Sequence, residues 1–206
     1  MLEVLTGTGL AASAGLNAYI PLLTMGLLAR YTDAIDLPAG SAWLSNGWTL
    51  MILAVLLAIE MVADKIPVVD HVNDVVQTFI RPTAGGLAFG TGSASETVTV
   101  ADPGAFFTSN QWVPIVAGVV IALIVHGLKS AARPVVNTTT AGFGAPVAST
   151  VEDISSVIMS VLAILLPVLV LIGLVVMVWA AVWVVRRRNR RKQERDAGVE
   201  TRQLFG

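Results

Sequence analysis

The most constraining feature of this sequence is an apolar segment, residues 154–185, which contains 32 residues and no charged side chain. A helix needs about 20 consecutive, mostly apolar residues to cross the hydrocarbon core of a bilayer. Residues 4–29 also lack any charge, and two shorter stretches, 48–63 and 112–128, hold at most one Asp, Glu, Lys or Arg each. The sequence therefore predicts an all-α fold, a polytopic membrane helix bundle.

Composition supports a membrane protein and narrows its partners. Charged residues make up only 13% of the chain, whereas soluble domains typically have about 25%. The lipid bilayer is therefore an expected partner, and the net charge of −1 gives no field that would attract nucleic acid. The absence of cysteine excludes disulfides and thiolate sites. Since the N-terminus lacks the basic segment of a signal peptide, its apolar stretch is predicted to be a retained helix.

Several proline, glycine and asparagine residues interrupt the apolar segments. The residues predicted to act as structural hinges are Asn17, Pro21, Gly85, Gly142 and Pro146. Broken segments at membrane depth occur where the backbone is buried in protein or lines a wet cavity, and they point to the binding site of a transporter. Small residues also serve close helix packing, so both interpretations stay open.

Two Arg-Pro pairs begin similar strings. Arg81-Pro82 precedes Thr-Ala-Gly-Gly, and Arg133-Pro134 is followed a few residues later by Thr-Thr-Ala-Gly-Phe-Gly. The likeness is compatible with a degenerate internal repeat or with chance. If these Gly-rich pieces enter the membrane as broken or re-entrant segments, the bundle has about four to six membrane segments.

Basic residues predict the topology. Residues 186–192, RRRNRRK, directly follow the longest apolar segment, whereas residues 31–47 and 91–111 contain no Lys or Arg. By the positive-inside rule, the C-terminus is cytoplasmic. The chain thus divides into a transmembrane helical domain, residues 1–185, and a basic cytoplasmic tail, residues 186–206. The tail is also suited to anionic lipid.

Ionisable side chains cluster in two windows within or beside the apolar segments. The first window includes residues 68–80, whose apolar positions have the spacing of an amphipathic helix. Ionisable groups near hydrocarbon are costly and are therefore candidates for binding a substrate or ion. These candidates are Glu60, Asp64, Lys65, Asp70, Asp74, Arg81, His126, Lys129, Arg133, Glu152 and Asp153.

The carboxylates and the arginines each allow more than one interpretation. Glu60 and Asp64 share a helix face and could relay protons or bind a cation, or they could mark a helix end at the headgroup level. No metal is predicted, because there is no HExxH motif and there are only two histidines. Arg81 and Arg133 could bind an anion through their planar donors. They could equally pair with nearby acidic side chains and hold the bundle together.

Several strings resemble those of a family of bacterial integral membrane proteins, DUF4126. The matching residues are AGLNAYIP from Ala14, Glu60, DKIP from Asp64, Asp70, RPTAG from Arg81, His126, Lys129, Arg133, Pro146, Ser149, Glu152 and Asp153. The chain departs from the pattern at Ala145, where Asn is expected. The resemblance implies a multi-pass protein of the bacterial cell membrane and implies no activity.

No motif indicates an enzyme, and no catalytic residue or cofactor is predicted. The two Gly-Thr-Gly strings, at residues 7–9 and 90–92, lack the following Gly or Lys of nucleotide-binding loops. The clustered charges beside Gly/Pro-broken segments favour a small transporter or channel for an ion or a small anionic solute or lipid headgroup, with proton coupling as one option. The alternative is a non-transporting accessory subunit of a larger membrane complex. A chain this small is expected to form a homo-oligomer or to join a partner membrane protein.

Overall fold

The computed structural model describes residues 2–93, 112–140, 143–179, 182–183 and 186–187, so most of the basic tail lies outside the described residues. All regular secondary structure within these ranges is helical, as predicted. The helices are α1 (Leu2–Leu16), α2 (Tyr19–Tyr31), a 3₁₀ helix (Ala39–Ser45), α3 (Gly47–Ala63), α4 (Pro67–Ser93), α5 (Trp112–Thr139), α6 (Gly144–Leu165) and α7 (Leu169–Trp179).

Among the described residues, two helical segments are long and apolar enough to cross a membrane. They are Trp112–Pro134 in α5 and Gly144–Leu165, and the 3₁₀ helix together with α3 makes a third if this pair, bent by 66°, is one span. This number is smaller than the four to six membrane segments predicted. α1 and α2 have only 15 and 13 residues, each below the length of about 20 that a span requires, and α4 carries many polar residues.

α1 lies at the centre of the bundle, against α4, α5 and α6. Small residues make this position possible. A methyl group added at Gly15 would lie 2.6 Å from Cβ of Val125 and 2.7 Å from the backbone oxygen of Ala122. Close approach through small side chains is the usual way in which helices pack in membranes. α1 thus contacts α5 and α6, the two helices that hold the segments long and apolar enough to cross a membrane.

The outer surface of the bundle is rich in large apolar side chains. Ile52, Val55 and Ile59 of α3 are each more than half exposed, and so are Ile154 and Ile158 of α6. A water-soluble protein rarely exposes apolar patches of this extent. In a bilayer the same side chains contact lipid, so the surface fits the membrane environment that the composition predicts.

The predicted interruptions at Asn17 and Pro167 separate helices, whereas Pro21 and Pro146 lie in the first turns of helices. Asn17 and Ala18 separate α1 from α2, and Pro21 is the third residue of α2, where the missing N–H breaks no helical hydrogen bond. The long apolar segment 154–185 is likewise divided at Pro167, between the end of α6 and the start of α7. Pro146 lies in the first turn of α6, where a helix tolerates proline.

The structure differs from the predicted break at Gly85. α4 is one continuous helix from Pro67 to Ser93, and its first half is the predicted amphipathic helix. Gly85 instead permits close packing, because a methyl group there would collide with Cβ of Ala122 and lie 2.9 Å from the backbone oxygen of Gly118. The re-entrant segment expected at residues 83–92 is therefore corrected to a packed helix. Gly142 lies outside the described residues.

Candidate functional site

Most of the predicted site residues meet where the end of α3 and the middle of α4 approach α5 and α6. Glu60 and Asp64 lie one turn apart at the end of α3, and Arg81 follows on α4. His126, Lys129 and Arg133 share one face of α5, since positions three, four and seven residues apart coincide on a helix. We call the group joined by salt bridges the ion-pair network. It consists of Glu60, Asp64, Arg81, Lys129, Arg133 and Glu152.

Asp64 is the centre of the ion-pair network. Its Oδ2 atom lies 3.0 Å from Nζ of Lys129, 3.1 Å from Nη2 of Arg133 and 3.7 Å from Nη2 of Arg81. Its Oδ1 accepts a hydrogen bond of 2.8 Å from Nδ2 of Asn73. The side chain is only 1% exposed. Three cations thus converge on one buried carboxylate, which can stay ionised only because they do so.

These surroundings set the pKa of Asp64, which follows the last residue of α3. Burial alone would raise the pKa of this carboxyl, but the charges of Lys129, Arg133 and Arg81 outweigh burial and hold the pKa below its ordinary value of 3.8. A lowered folded pKa means that the unfolded chain binds the proton more readily. The stabilisation is therefore complete above the ordinary pKa and is lost as the pH falls through the folded value.

We accordingly expect the free energy of unfolding to decrease when the pH is lowered from about 5 to about 2, with part of this slope caused by Asp64. The measurement is chemical unfolding in detergent micelles across this range for the wild type and Asp64→Asn. The variant should show a shallower pH dependence. Asp36→Asn, in an exposed loop, is the matched control. An unchanged slope in Asp64→Asn would contradict the assignment.

A second chain of contacts leads from Glu60 to His126. Nη2 of Arg81 donates to Oε1 of Glu60 at 2.9 Å, and Nη1 of Arg81 lies 2.9 Å from Nδ1 of His126. Because a guanidinium can only donate, Nδ1 of His126 must accept, which places the ring proton on Nε2. Nε2 then donates to Oγ1 of Thr78 at 3.1 Å. His126 is therefore a neutral acceptor for Arg81.

Glu152 forms the edge of the ion-pair network. Its Oε2 atom lies 3.0 Å from Nζ of Lys129 and 2.8 Å from Nη2 of Arg133. Its side chain is 16% exposed, the highest value among the paired groups of the network. Lys129 and Arg133 are thus shared between Asp64, which is buried, and Glu152, which reaches the edge.

The ion-pair network also contacts the break between α1 and α2. Nζ of Lys129 donates to the backbone oxygen of Leu16 at 3.1 Å, which satisfies a carbonyl at the end of α1. Oδ1 of Asn17 accepts from the backbone N–H groups of Tyr19 and Ile20, at 3.1 and 3.3 Å. Side chains therefore make hydrogen bonds to backbone groups on both sides of the break, which lack partners within a helix.

Besides His126, four predicted site residues lie outside the ion-pair network. Nζ of Lys65 donates to the backbone oxygen of Met61, within its own helix end. Asp153 accepts from Nδ2 of Asn17 at 3.0 Å. The side chain of Asp70 lies outside the described residues, and Asp74 contributes its backbone oxygen as acceptor for Thr78. Within the described residues, no group of three His, Asp or Glu side chains is placed to hold a metal ion.

Polar residues that the sequence did not single out complete the site. Asn73 and Gln77 lie eight and four residues before Arg81, so they continue its face along α4. Asn73 binds Asp64, and Gln77 is almost completely buried. The available signal was the row of polar residues along one face of the predicted amphipathic helix. On α6, Ser156 and Ser160 bind Ser13 of α1 through hydroxyl contacts of 2.7 and 2.6 Å.

Comparison with known proteins gives one match. The family model described as a domain of unknown function, DUF4126, matches residues 4–187. No curated protein and no solved structure matches the chain. The matched range contains α1 from Val4 onward, α2 to α7, and every residue of the ion-pair network.

Proposed function

The chain belongs to the DUF4126 family, and we propose that it is a small membrane transporter for a small anionic solute or lipid headgroup, coupled to protons. The observation that carries this proposal is the shared position of Glu152. Its carboxylate bridges Lys129 and Arg133 at the edge of an otherwise buried network. A substrate carboxylate or phosphate has the chemistry to take the place of Glu152 on these two cations.

Charge balance favours such an exchange. In the ion-pair network, three carboxylates neutralise Arg81, Lys129 and Arg133. If the side chain of Glu152 turns outward into water, the cations exceed the carboxylates by one charge. An anion that enters the site restores neutrality, and Asp64 keeps the cations in position meanwhile. Glu152 is the member suited to leave, because the other carboxylates are almost completely buried.

Stability alone is a weak explanation for so many buried charges. A buried ion pair can often be replaced by apolar residues of similar volume without loss of stability. Within a membrane, ionisable residues generally mark substrate or proton pathways. The break between α1 and α2, which Lys129 contacts through the backbone oxygen of Leu16, supports this assignment, since transporters bind substrates beside discontinuous helices.

The experiment is anion-induced current and uptake in proteoliposomes, with a panel of inorganic phosphate, small carboxylates and soluble lipid headgroups, with and without a pH gradient. Arg133→Gln removes one of the two cations that hold Glu152. Loss of a charge-assisted hydrogen bond is worth about 1.5–3 kcal/mol. We therefore expect the half-saturating anion concentration to rise about tenfold to hundredfold.

Arg30→Gln is the matched control, because Arg30 is exposed and donates to the backbone oxygen of Ser45, outside the network. It should transport like the wild type. Absence of flux across the panel from folded wild-type protein would contradict transport and would favour the accessory role in a larger complex. Equal half-saturation in Arg133→Gln and the wild type would refute the substrate site while leaving transport in place.

The proposal includes an orientation. The bundle crosses the cell membrane of a bacterium with the C-terminus in the cytoplasm, as the basic residues after residue 185 favour. The tail then lies beside anionic headgroups of the inner leaflet, and the transporting form is a homo-oligomer, because one small bundle offers little room for a pathway of its own.

A further inference from the structure

Asp153 is a buried carboxylate that stands apart from the ion-pair network. It is 6% exposed, and its Oδ1 accepts one hydrogen bond, from the neutral amide of Asn17. Its Oδ2 atom has no hydrogen-bond partner among the described residues. A charged carboxylate buried with one neutral donor is strongly disfavoured, and such a group binds a proton instead.

The charged groups around Asp153 do not form an ion pair with it. The charged groups that act on it electrostatically are Lys129 of α5 and Asp64 and Lys65 at the end of α3. Lys129 donates to Asp64 and Leu16 and contacts Glu152, which uses the three donors of an ammonium group. Lys65 donates to its own helix end. On the α1 side, the neighbour in contact is Asn17.

A second unpartnered polar atom lies on the same face of α6. Ser149 is one turn before Asp153 and is completely buried, and its Oγ has no hydrogen-bond partner among the described residues. Residues four apart on a helix are neighbours. In the structure these two oxygen atoms do not bond each other, but once Oδ2 of Asp153 carries a proton, a change of side-chain rotamer lets the hydroxyl oxygen of Ser149 on the adjacent turn accept it.

We infer that Asp153, together with Ser149 and Asn17, is a proton-binding site, and that it carries the coupling proton. The coupling role rests on the proposed transport function, whereas the proton-binding site itself does not. With the proton bound, Asp153 is neutral and its burial costs little. When the site opens to water, the proton leaves from Oδ2, and the negative charge then lies beside Asn17.

The position of Asn17 links this proton to the substrate site. Asn17 binds Asp153 through its amide nitrogen and holds the first backbone N–H groups of α2 through its oxygen. Lys129 holds the opposite side of the same break, at Leu16, and contacts Glu152. A change of charge at Asp153 therefore acts on the break that the cations of the ion-pair network also contact.

On the C-terminal side of Asp153, away from Ser149, α6 offers no comparable proton site. The hydroxyls of Ser156 and Ser160 bind Ser13 of α1, and the next buried residue of α6, Ala163, is apolar and fully covered. Protons are therefore expected to reach Asp153 from the Glu152 side.

The test is infrared spectroscopy of the full-length protein in liposomes at neutral pH. The wild type should show the carbonyl band of a protonated carboxyl group, and the difference spectrum against Asp153→Asn should contain this band. Ser149→Ala, which keeps the carboxyl, should shift the band by removing its neighbouring hydroxyl. Asp36→Asn, in an exposed loop, is the control and should leave the band in place.

A wild type without the band, or an Asp153→Asn spectrum that retains it in full, would overturn the proton site. Loss of the band when potassium is replaced by sodium would also overturn it, in favour of a sodium site. Uptake of the panel anions under a pH gradient separates the two proposals. If the band is present and no anion is taken up, the transport function fails and the proton site stands. If anions are taken up and the gradient stimulates Asp153→Asn as strongly as the wild type, the coupling role fails alone.

Discussion

Replacement of Arg81 by Gln is expected to destabilise the protein by about 3–5 kcal/mol, the range found when one partner of a buried ion pair is removed. Arg81 is fully buried, and its guanidinium donates to Glu60 at 2.9 Å and to His126 at 2.9 Å. Without it, Glu60 keeps a buried carboxylate with no cation in direct contact, and His126 loses the donor to Nδ1. Each group would then have a buried polar atom without a hydrogen-bond partner, which destabilises the folded state.

A double variant shows how much of the lost stability comes from leaving Glu60 charged without its partner Arg81. Glu60→Gln removes the orphaned charge, so Arg81→Gln combined with Glu60→Gln should recover a large part of the lost stability. Unfolding in mixed detergent micelles, monitored by circular dichroism, measures all three variants. Arg30→Gln is again the control and should remain within about 0.5 kcal/mol of the wild type. A double variant no more stable than Arg81→Gln would show that the pair is not the source of the effect.

Features that arise from local pattern were predictable from the sequence. The apolar periodicity of residues 68–80 predicted the first half of α4, and Asn17 and Pro167 marked real interruptions. The continuation of α4 through Pro82 and Gly85 was not predictable in this way. Proline and glycine favour a break locally, whereas close packing of Gly85 against Gly118 of α5 favours a continuous helix. A contact between distant segments thus prevailed over the local signal.

The candidate site was predictable in its members and not in its pairing. Scarce charges within apolar segments made Glu60, Asp64, Arg81, Lys129 and Arg133 candidates, and the structure brings them together. Their connections join helices that are far apart in sequence, as with Asp64 and Arg133, which are 69 residues apart. Which carboxylate meets which cation depends on how the helices pack. The separation of Asp153 from the network has the same origin, because the rotation of α6 directs its side chain toward Asn17.

Lys129→Met is the other substitution expected to have a large effect, of about 3–5 kcal/mol. Nζ of Lys129 lies 3.0 Å from Asp64, 3.0 Å from Glu152 and 3.1 Å from the backbone oxygen of Leu16. Methionine has a similar length and no charge, so the substitution removes all three contacts while largely preserving volume. Arg133 still contacts both carboxylates, and for this reason the protein is expected to fold.

A second variant distinguishes the ionic role of Lys129 from its role at the helix break. Combining Lys129→Met with Glu152→Gln restores the charge balance of the network but leaves the oxygen of Leu16 without its donor. A residual loss of about 1–3 kcal/mol, the cost of a buried acceptor without a partner, should therefore remain. Hydrogen exchange at residues 17–20 should be faster in both variants, because the break is less firmly held. Full recovery of stability with wild-type exchange would show that Lys129 acts through charge alone and that the break does not depend on it.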